Sequence, residues 1–192
     1  MHDANAPPPH RLTEPDGTVV EQFVLPDDHA SLEELLRDLF QNHWREITFG
    51  PVIEGAAWEF TAPGAPTTLG MLDGYLTVAF GTSHFHLCIG PTQGIGAKKT
   101  PAHLAEHRKT SRAVLFRSLD PDGVPKSWGL RLWNGAGEQQ LTVYLPNPLL
   151  TPDGQPAKTP DWSRLALWDA LRKRWTGAAP DPRDRTAKYF RH

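Results

Sequence analysis

Between Ser31 and Trp44 apolar side chains recur three and four positions apart, with Leu32, Leu35, Leu36, Leu39, Phe40 and His43 on one stripe. That spacing predicts a helix ending near Trp44. Ser31 followed by Glu34 supplies a capping-box pattern at its start. From Ile47 to Ile89 the period shortens to two, in the pieces ITFGPVIE, AWEF, TTLGML, YLTVAF and SHFHLCI separated by Gly and Pro. Alternation of this kind predicts an antiparallel sheet, and Asp73-Gly74 marks a tight hairpin turn within it.

After Ile89 the loop GPTQGIGAKK leads to Thr100-Pro101, read as the N-cap and first position of a second helix running to about Ser118. The turn DPDG then opens a second hairpin formed by WGLRLWN and QQLTVYL. In DWSRLALWDALRKRW, Leu165, Trp168, Leu171 and Trp175 fall at helical spacing, with basic residues in the last turn to suit the helix dipole. The elements together predict an α+β fold, a mostly antiparallel sheet with about three helices packed mainly on one side. Residues 1–17, rich in Pro and polar groups, read as a disordered or loosely attached arm, and residues 18–176 as a single domain. Residues 177–192 read as a polar tail, disordered or docked through Tyr189 and Phe190.

Composition narrows the function classes. With 192 residues, a formal charge of -2 and no segregation of either sign, the chain has no field suited to nucleic acid. No run approaches the length of a membrane span, and the first fifteen residues have no signal-peptide core, so no membrane association is expected. A single cysteine, Cys88, excludes an internal disulfide and favours the cytoplasm.

Chemistry concentrates in the histidines. Alternation in SHFHLCI puts His84, His86 and Cys88 on one strand face and Phe85, Leu87 and Ile89 on the other. His103 and His107, four apart, share one helix face with Glu106 beside them. A strand offering His-x-His and a helix offering His-x-x-x-His could hold a divalent transition metal, Zn or Fe by ligand type. Cys88 or Glu106 would complete the site or act as the acid/base group on a bound water. The leading expectation is therefore a metal-dependent enzyme acting on a small molecule.

The run HFHLCIG also resembles the histidine-triad motif of nucleotide hydrolases and transferases, with Cys88 in the third histidine's place. That resemblance implies a metal-free phosphate-ester or nucleotide enzyme with His86 as the nucleophile. Cupins share His-x-His on a strand, but their later glutamate would fall near Gly90 or Pro91.

Other residues bear on ligand binding. The loop GPTQGIGAKK between strand and helix offers backbone N–H groups to an anion, although the spacing of a triphosphate loop is not met. Lys98 and Lys99 could attract an acidic substrate. On the second hairpin Arg131, Gln140 and Tyr144 share a polar face that would line a cleft beside His84 and His86. Seven tryptophans, five of them from Trp128 onward, suit either a core or a surface for a protein partner or a second copy. An accessory protein without catalysis is the remaining alternative.

Overall fold

The computed structural model describes residues 8–190. In chain order its elements are β1 (His10–Thr13), β2 (Val19–Val24), α1 (His29–Asn42), β3 (Thr48–Gly50), β4 (Val52–Ile53), β5 (Ala56–Ala57) and β6 (Phe60–Thr61). There follow β7 (Thr68–Leu72), β8 (Tyr75–Phe80), β9 (Ser83–Cys88), β10 (Gly94–Ile95), β11 (Lys98–Lys99), α2 (Ala102–Arg108) and β12 (Thr110–Leu119). The series closes with β13 (Pro125–Asn134), β14 (Gln139–Tyr144) and α3 (Ala166–Thr176), the last bracketed by 3-10 turns at Trp162–Leu165 and Pro182–Arg185.

The fold is α+β and mostly antiparallel. One sheet has the strand order β1-β2-β12-β13-β14-β3-β6, a second the order β7-β8-β9, and β4-β5 and β10-β11 are short ribbons. The chain divides into two compact units. The first comprises the residues up to Leu25, Val114–Leu130 and the chain from Tyr144 onward, and the second comprises Pro26–Ala113 and Arg131–Val143.

In the first unit β1 and β2 form a hairpin in which His10 faces Gln22 and Thr13 faces Val19. Residues 8–17 of the expected arm are therefore structured, and residues 1–7 lie outside the described residues. The turn signal Pro15-Asp16-Gly17 was there to be read: the Asp16 carboxylate accepts the Thr18 N–H at 2.8 Å and closes the hairpin. On its other side β2 pairs with β12, from Val19↔Leu119 to Val24↔Val114. α3 buries Leu167, Trp168, Leu171 and Arg172, and the ring of Trp168 meets Phe23 edge-on at 5.8 Å.

The second helix corrects the sequence reading. α2 stops at Arg108, and the residues expected to continue it form β12 instead. Ala113 to Leu119 are all buried, so the strand has no solvated face and reads as a nearly continuous apolar run. Such a run has no period to separate strand from helix. Pro101 takes the N-cap position of α2 with no side-chain cap, so Thr100 does not cap it.

In the second unit α1 buries the predicted stripe from Leu32 to Phe40, namely Leu32, Leu35, Leu36, Leu39 and Phe40, whereas His43, expected on it, is the half-exposed C-cap. Each such side chain contributes roughly 1.5–3 kcal/mol by leaving water. The N-cap is Asp28, whose carboxylate accepts the Ser31 N–H at 3.1 Å, so Ser31 sits inside the helix rather than capping it. Phe40 packs edge-on against Phe49 at 4.9 Å and Phe85 at 5.4 Å, which docks α1 on both β3 and β9.

The β7-β8-β9 meander is set by its two tight turns. Leu72 faces Tyr75 across Asp73-Gly74, where both turn residues have positive φ, 46° and 79°. Gly74 is required twice over, because a Cβ there would also stand 2.5 Å from the carbonyl oxygen of Gly90. Along β8 burial alternates strictly, with Leu76, Val78 and Phe80 inward and Tyr75, Thr77 and Ala79 half-exposed.

Residues 191–192 of the segment read as a polar tail lie outside the described residues, and within it Pro182–Arg185 forms a 3-10 turn that buries Asp184 completely. Tyr189 is 54% exposed and Phe190 half-buried.

Candidate functional site

β9 carries the strand histidines as alternation predicts. His84 faces Ala79 and His86 faces Thr77 across β8, and both imidazoles are exposed. The opposite face sends Phe85 and Leu87 toward α1 and the core. The rings of His84 and His86 are 5.1 Å apart between centroids, set edge to face. His86 Nδ1 lies 2.8 Å from the Thr77 hydroxyl, so one ring nitrogen is occupied and Nε2 is left for a ligand or a proton.

The strand's backbone is as informative as its side chains. Among the described residues β9 ends its sheet, hydrogen-bonded only to β8. The two-residue turn Gly81-Thr82 closes on the pair Phe80↔Ser83, and hairpins of this length close on a mutually hydrogen-bonded pair. Hydrogen bonding to β8 then recurs at Phe85 and Leu87, while His84, His86 and Cys88 turn their backbone groups to the open edge. The Cys88 carbonyl follows this rule: it accepts the Thr110 hydroxyl at 2.9 Å from the side away from β8.

A groove of about 600 Å³ runs along this edge, bordered by Thr82 to Leu87 on one side and by Phe49, Pro51, Trp58, Phe60 and Gln140 on the other. Phe49 and Phe80 are buried within it, Phe60 is half-buried, and Trp58 is 69% exposed. Trp58 is brought there by the β4-β5 ribbon, which returns so closely on β3 that a Cβ on Gly50 would stand 1.8 Å from the Trp58 carbonyl oxygen. The groove is therefore apolar and aromatic at its base, with imidazoles and open backbone groups along one rim.

Residues 9–177 match the profile of a single protein family. The chain belongs to this family of unknown function (DUF7676). No curated protein and no solved structure matches it. The DUF7676 segment contains the groove and both histidine pairs, whereas Asp181 and Asp184 lie beyond it.

The helix histidines border a different cavity. His103, Glu106 and His107 line a polar hollow with Asp27, Asp28 and Ser111, and it shares no lining residue with the groove. Glu106 is 76% exposed and 3.5 Å from Lys109 Nζ, and His107 Nε2 lies 3.1 Å from Glu138 Oε2. Among the described residues no three His, Cys, Asp or Glu side chains are gathered as a metal centre. The two pairs, His84 with His86 and His103 with His107, are thus each brought together but not with one another.

Cys88 is 4% exposed, its thiol 3.6 Å from the Gly90 carbonyl oxygen. Burial pushes that thiol above its ordinary pKa and keeps it protonated at neutral pH. Arg131 is buried in β13 and does not line the groove. Tyr144 belongs to the first unit, its ring against Phe116 at 6.1 Å. Of the predicted polar face only Gln140 reaches the groove, and its amide is engaged, its Oε1 sharing the Thr110 hydroxyl with the Cys88 carbonyl at 2.8 Å and its Nε2 donating to the Arg108 carbonyl at 2.9 Å.

Lys98 lies exposed on β11, and the groove's lining includes none of residues 90–99. The loop's capacity for an anion is already used within the chain. The Asp73 carboxylate accepts the N–H groups of Gln93 at 2.7 Å and Gly94 at 3.0 Å, standing where a phosphate would. The groove residues that sequence alone did not suggest, Phe49, Trp58 and Phe60, lie far along the chain from β9.

Proposed function

We propose that this chain is a peptide-binding protein whose groove takes an extended segment of another polypeptide as a strand added to β9. The observation that carries this reading is the open edge at His84 and His86, facing a wall of aromatic side chains. Open edges of this kind are recognised by β-augmentation, in which main-chain hydrogen bonds give affinity and pockets for alternate side chains give specificity. An added strand would direct every second side chain at Phe49, Phe60 and Phe80 and the others past the imidazoles into solvent. The preferred ligand is thus an extended segment with apolar residues at alternate positions, and the aromatic wall suits it because such residues dominate interface energetics.

The test is an acetylated, amidated Val-Thr-Val-Thr-Val peptide titrated into the protein while the His84 and His86 amide protons are followed by NMR. Binding protects both amides from exchange, and N-methylation of alternate peptide bonds abolishes it. Unprotected amides at millimolar peptide would remove the proposal.

A second reading rests on the rings rather than the backbone. The 5.1 Å separation of the imidazoles and the Thr77 contact at His86 Nδ1 favour a divalent transition metal bridged by His84 and His86, with its other positions open to water or substrate. Without a metal, the same His86 Nε2 would serve as nucleophile in phosphate-ester chemistry. Elemental analysis of untagged protein, compared with the His84→Ala/His86→Ala variant, separates the metal reading from the peptide reading.

A further inference from the structure

Asp184 has no exposed surface, and both of its carboxylate oxygens are met by donors from elsewhere in the first unit. Arg117 Nη1 donates to Oδ1 at 2.8 Å and Trp128 Nε1 to the same oxygen at 2.9 Å. Trp168 Nε1 donates to Oδ2 at 2.9 Å, and Arg172 Nη1 stands 3.6 Å from that oxygen. The donors come from β12, β13 and α3, all inside the family segment, while the carboxylate comes from beyond it.

This receptor is held in shape in part by groups outside residues 178–190. Arg117 Nε donates to Glu21 Oε2 at 2.6 Å, whereas its Nη1 contact with Asp181 Oδ2 at 2.8 Å belongs, like Asp184, to the segment that supplies the carboxylate. The Arg172 guanidinium lies over the Phe23 ring at 4.7 Å and is 94% removed from solvent, yet among the described residues its Nε and Nη1 find no hydrogen-bond partner. The pocket therefore holds more donor capacity than Asp184 uses, and a buried unmet donor is costly to keep. The segment that supplies the carboxylate is, by contrast, shallowly seated, held besides Asp184 by Asp181 on Arg117 and by the part-exposed ion pairs Arg183–Glu21 at 3.3 Å and Arg185–Asp169. Between Gly177 and Phe190 only Ala178 and Asp184 are buried.

We infer that the pocket of Arg117, Trp128, Trp168 and Arg172 is a carboxylate-binding site that the chain fills with its own Asp184. Residues 178–190 are its internal ligand, and a carboxylate offered from outside takes the pocket when that segment leaves. The class of external ligand is an acidic peptide or a small carboxylic acid, because two indole N–H groups and two guanidinium groups converge on one planar, two-oxygen anion. This site is independent of the β9 groove, and failure of the peptide-binding reading leaves it untouched.

The experiment uses the full chain with Asp184→Ala. Removing the carboxylate leaves two buried cations short of a partner, so Tm should fall by roughly 10 °C. Sodium acetate should restore it saturably at constant ionic strength where chloride does not, while leaving the unsubstituted protein's Tm unchanged. A synthetic peptide of residues 178–192 should restore it at lower concentration than acetate, and the same peptide with Asp184→Asn should not. Equal recovery in chloride, or none with acetate and peptide, overturns the inference. Should the variant not fold, hydrogen exchange on the unsubstituted chain decides. Amides of residues 178–190 must then open locally, exchanging at least about 100-fold faster than those of β12. Exchange of both at one rate would make the segment an integral part of the core and end the proposal.

Discussion

The Thr77 hydroxyl lies 2.8 Å from His86 Nδ1, directly across the β8-β9 pair where the two residues face one another in register. A hydrogen bond at Nδ1 holds the direction of the ring and so of Nε2, as a brace does for a metal-ligating or catalytic imidazole.

The Thr77→Val variant removes the brace and keeps the β-branched shape, so the fold should persist while the His86 ring loses its preferred orientation. NOE contacts from the His86 ring protons should show one ring orientation in the unsubstituted protein and several in the variant. If His84 and His86 hold a metal, zinc affinity should also fall by about 10- to 100-fold. An unchanged ring orientation would show that Thr77 does not position the ring.

Much of this arrangement was legible in the chain. The α1 stripe from Leu32 to Phe40, the Asp73-Gly74 turn and the placement of His84 and His86 on one strand face follow from local spacing, and the structure has each of them. What escaped is non-local. The aromatic wall opposite β9 comes from residues 49–60, brought there by strand pairing that has no signature in either segment. Residues 110–118 read as helix in the sequence because burial on both faces of β12 erases the alternation that identifies a strand. Asp184 reads as part of a solvated tail because its partners are at positions 117, 128, 168 and 172, and only the fold brings them together.

Cys88 offers a check on the environment at the end of β9. Its thiol is buried and held above its ordinary pKa, and only the thiolate reacts quickly with disulfide reagents. At pH 8 its reaction with dithiobis-nitrobenzoate should be at least about 100-fold slower in the native protein than in denaturant. Equal rates would place the thiol at the surface and restore it as a candidate ligand beside His86.

The acid end of the stability profile should be governed by carboxylates around Arg117. Burial alone would raise the Glu21 carboxyl, but hydrogen bonds from Arg117 and Arg11, at 2.6 and 2.8 Å, outweigh it and hold the pKa below the ordinary 4.5. Asp181 behaves alike: burial raises it, and the Arg183 N–H and Arg117 overcome that and lower it below 3.8. A carboxyl whose pKa is lower folded than unfolded binds fewer protons in the native state, so its contribution is fully present above the unfolded value. That contribution is lost as pH falls through the folded value. Unfolding free energy from denaturant titrations should therefore be flat in this respect above about pH 5 and decline progressively below it. Glu21→Gln should cost about 1.5–3 kcal/mol at neutral pH, because it removes one charged partner of Arg117 and leaves Asp181 and Asp184 in place, and should make the acid decline shallower. The measurement is the same titration repeated at pH 3, 4, 5 and 7 on both proteins. A decline of equal steepness in the variant would mean that Glu21 does not set the acid limit of this fold.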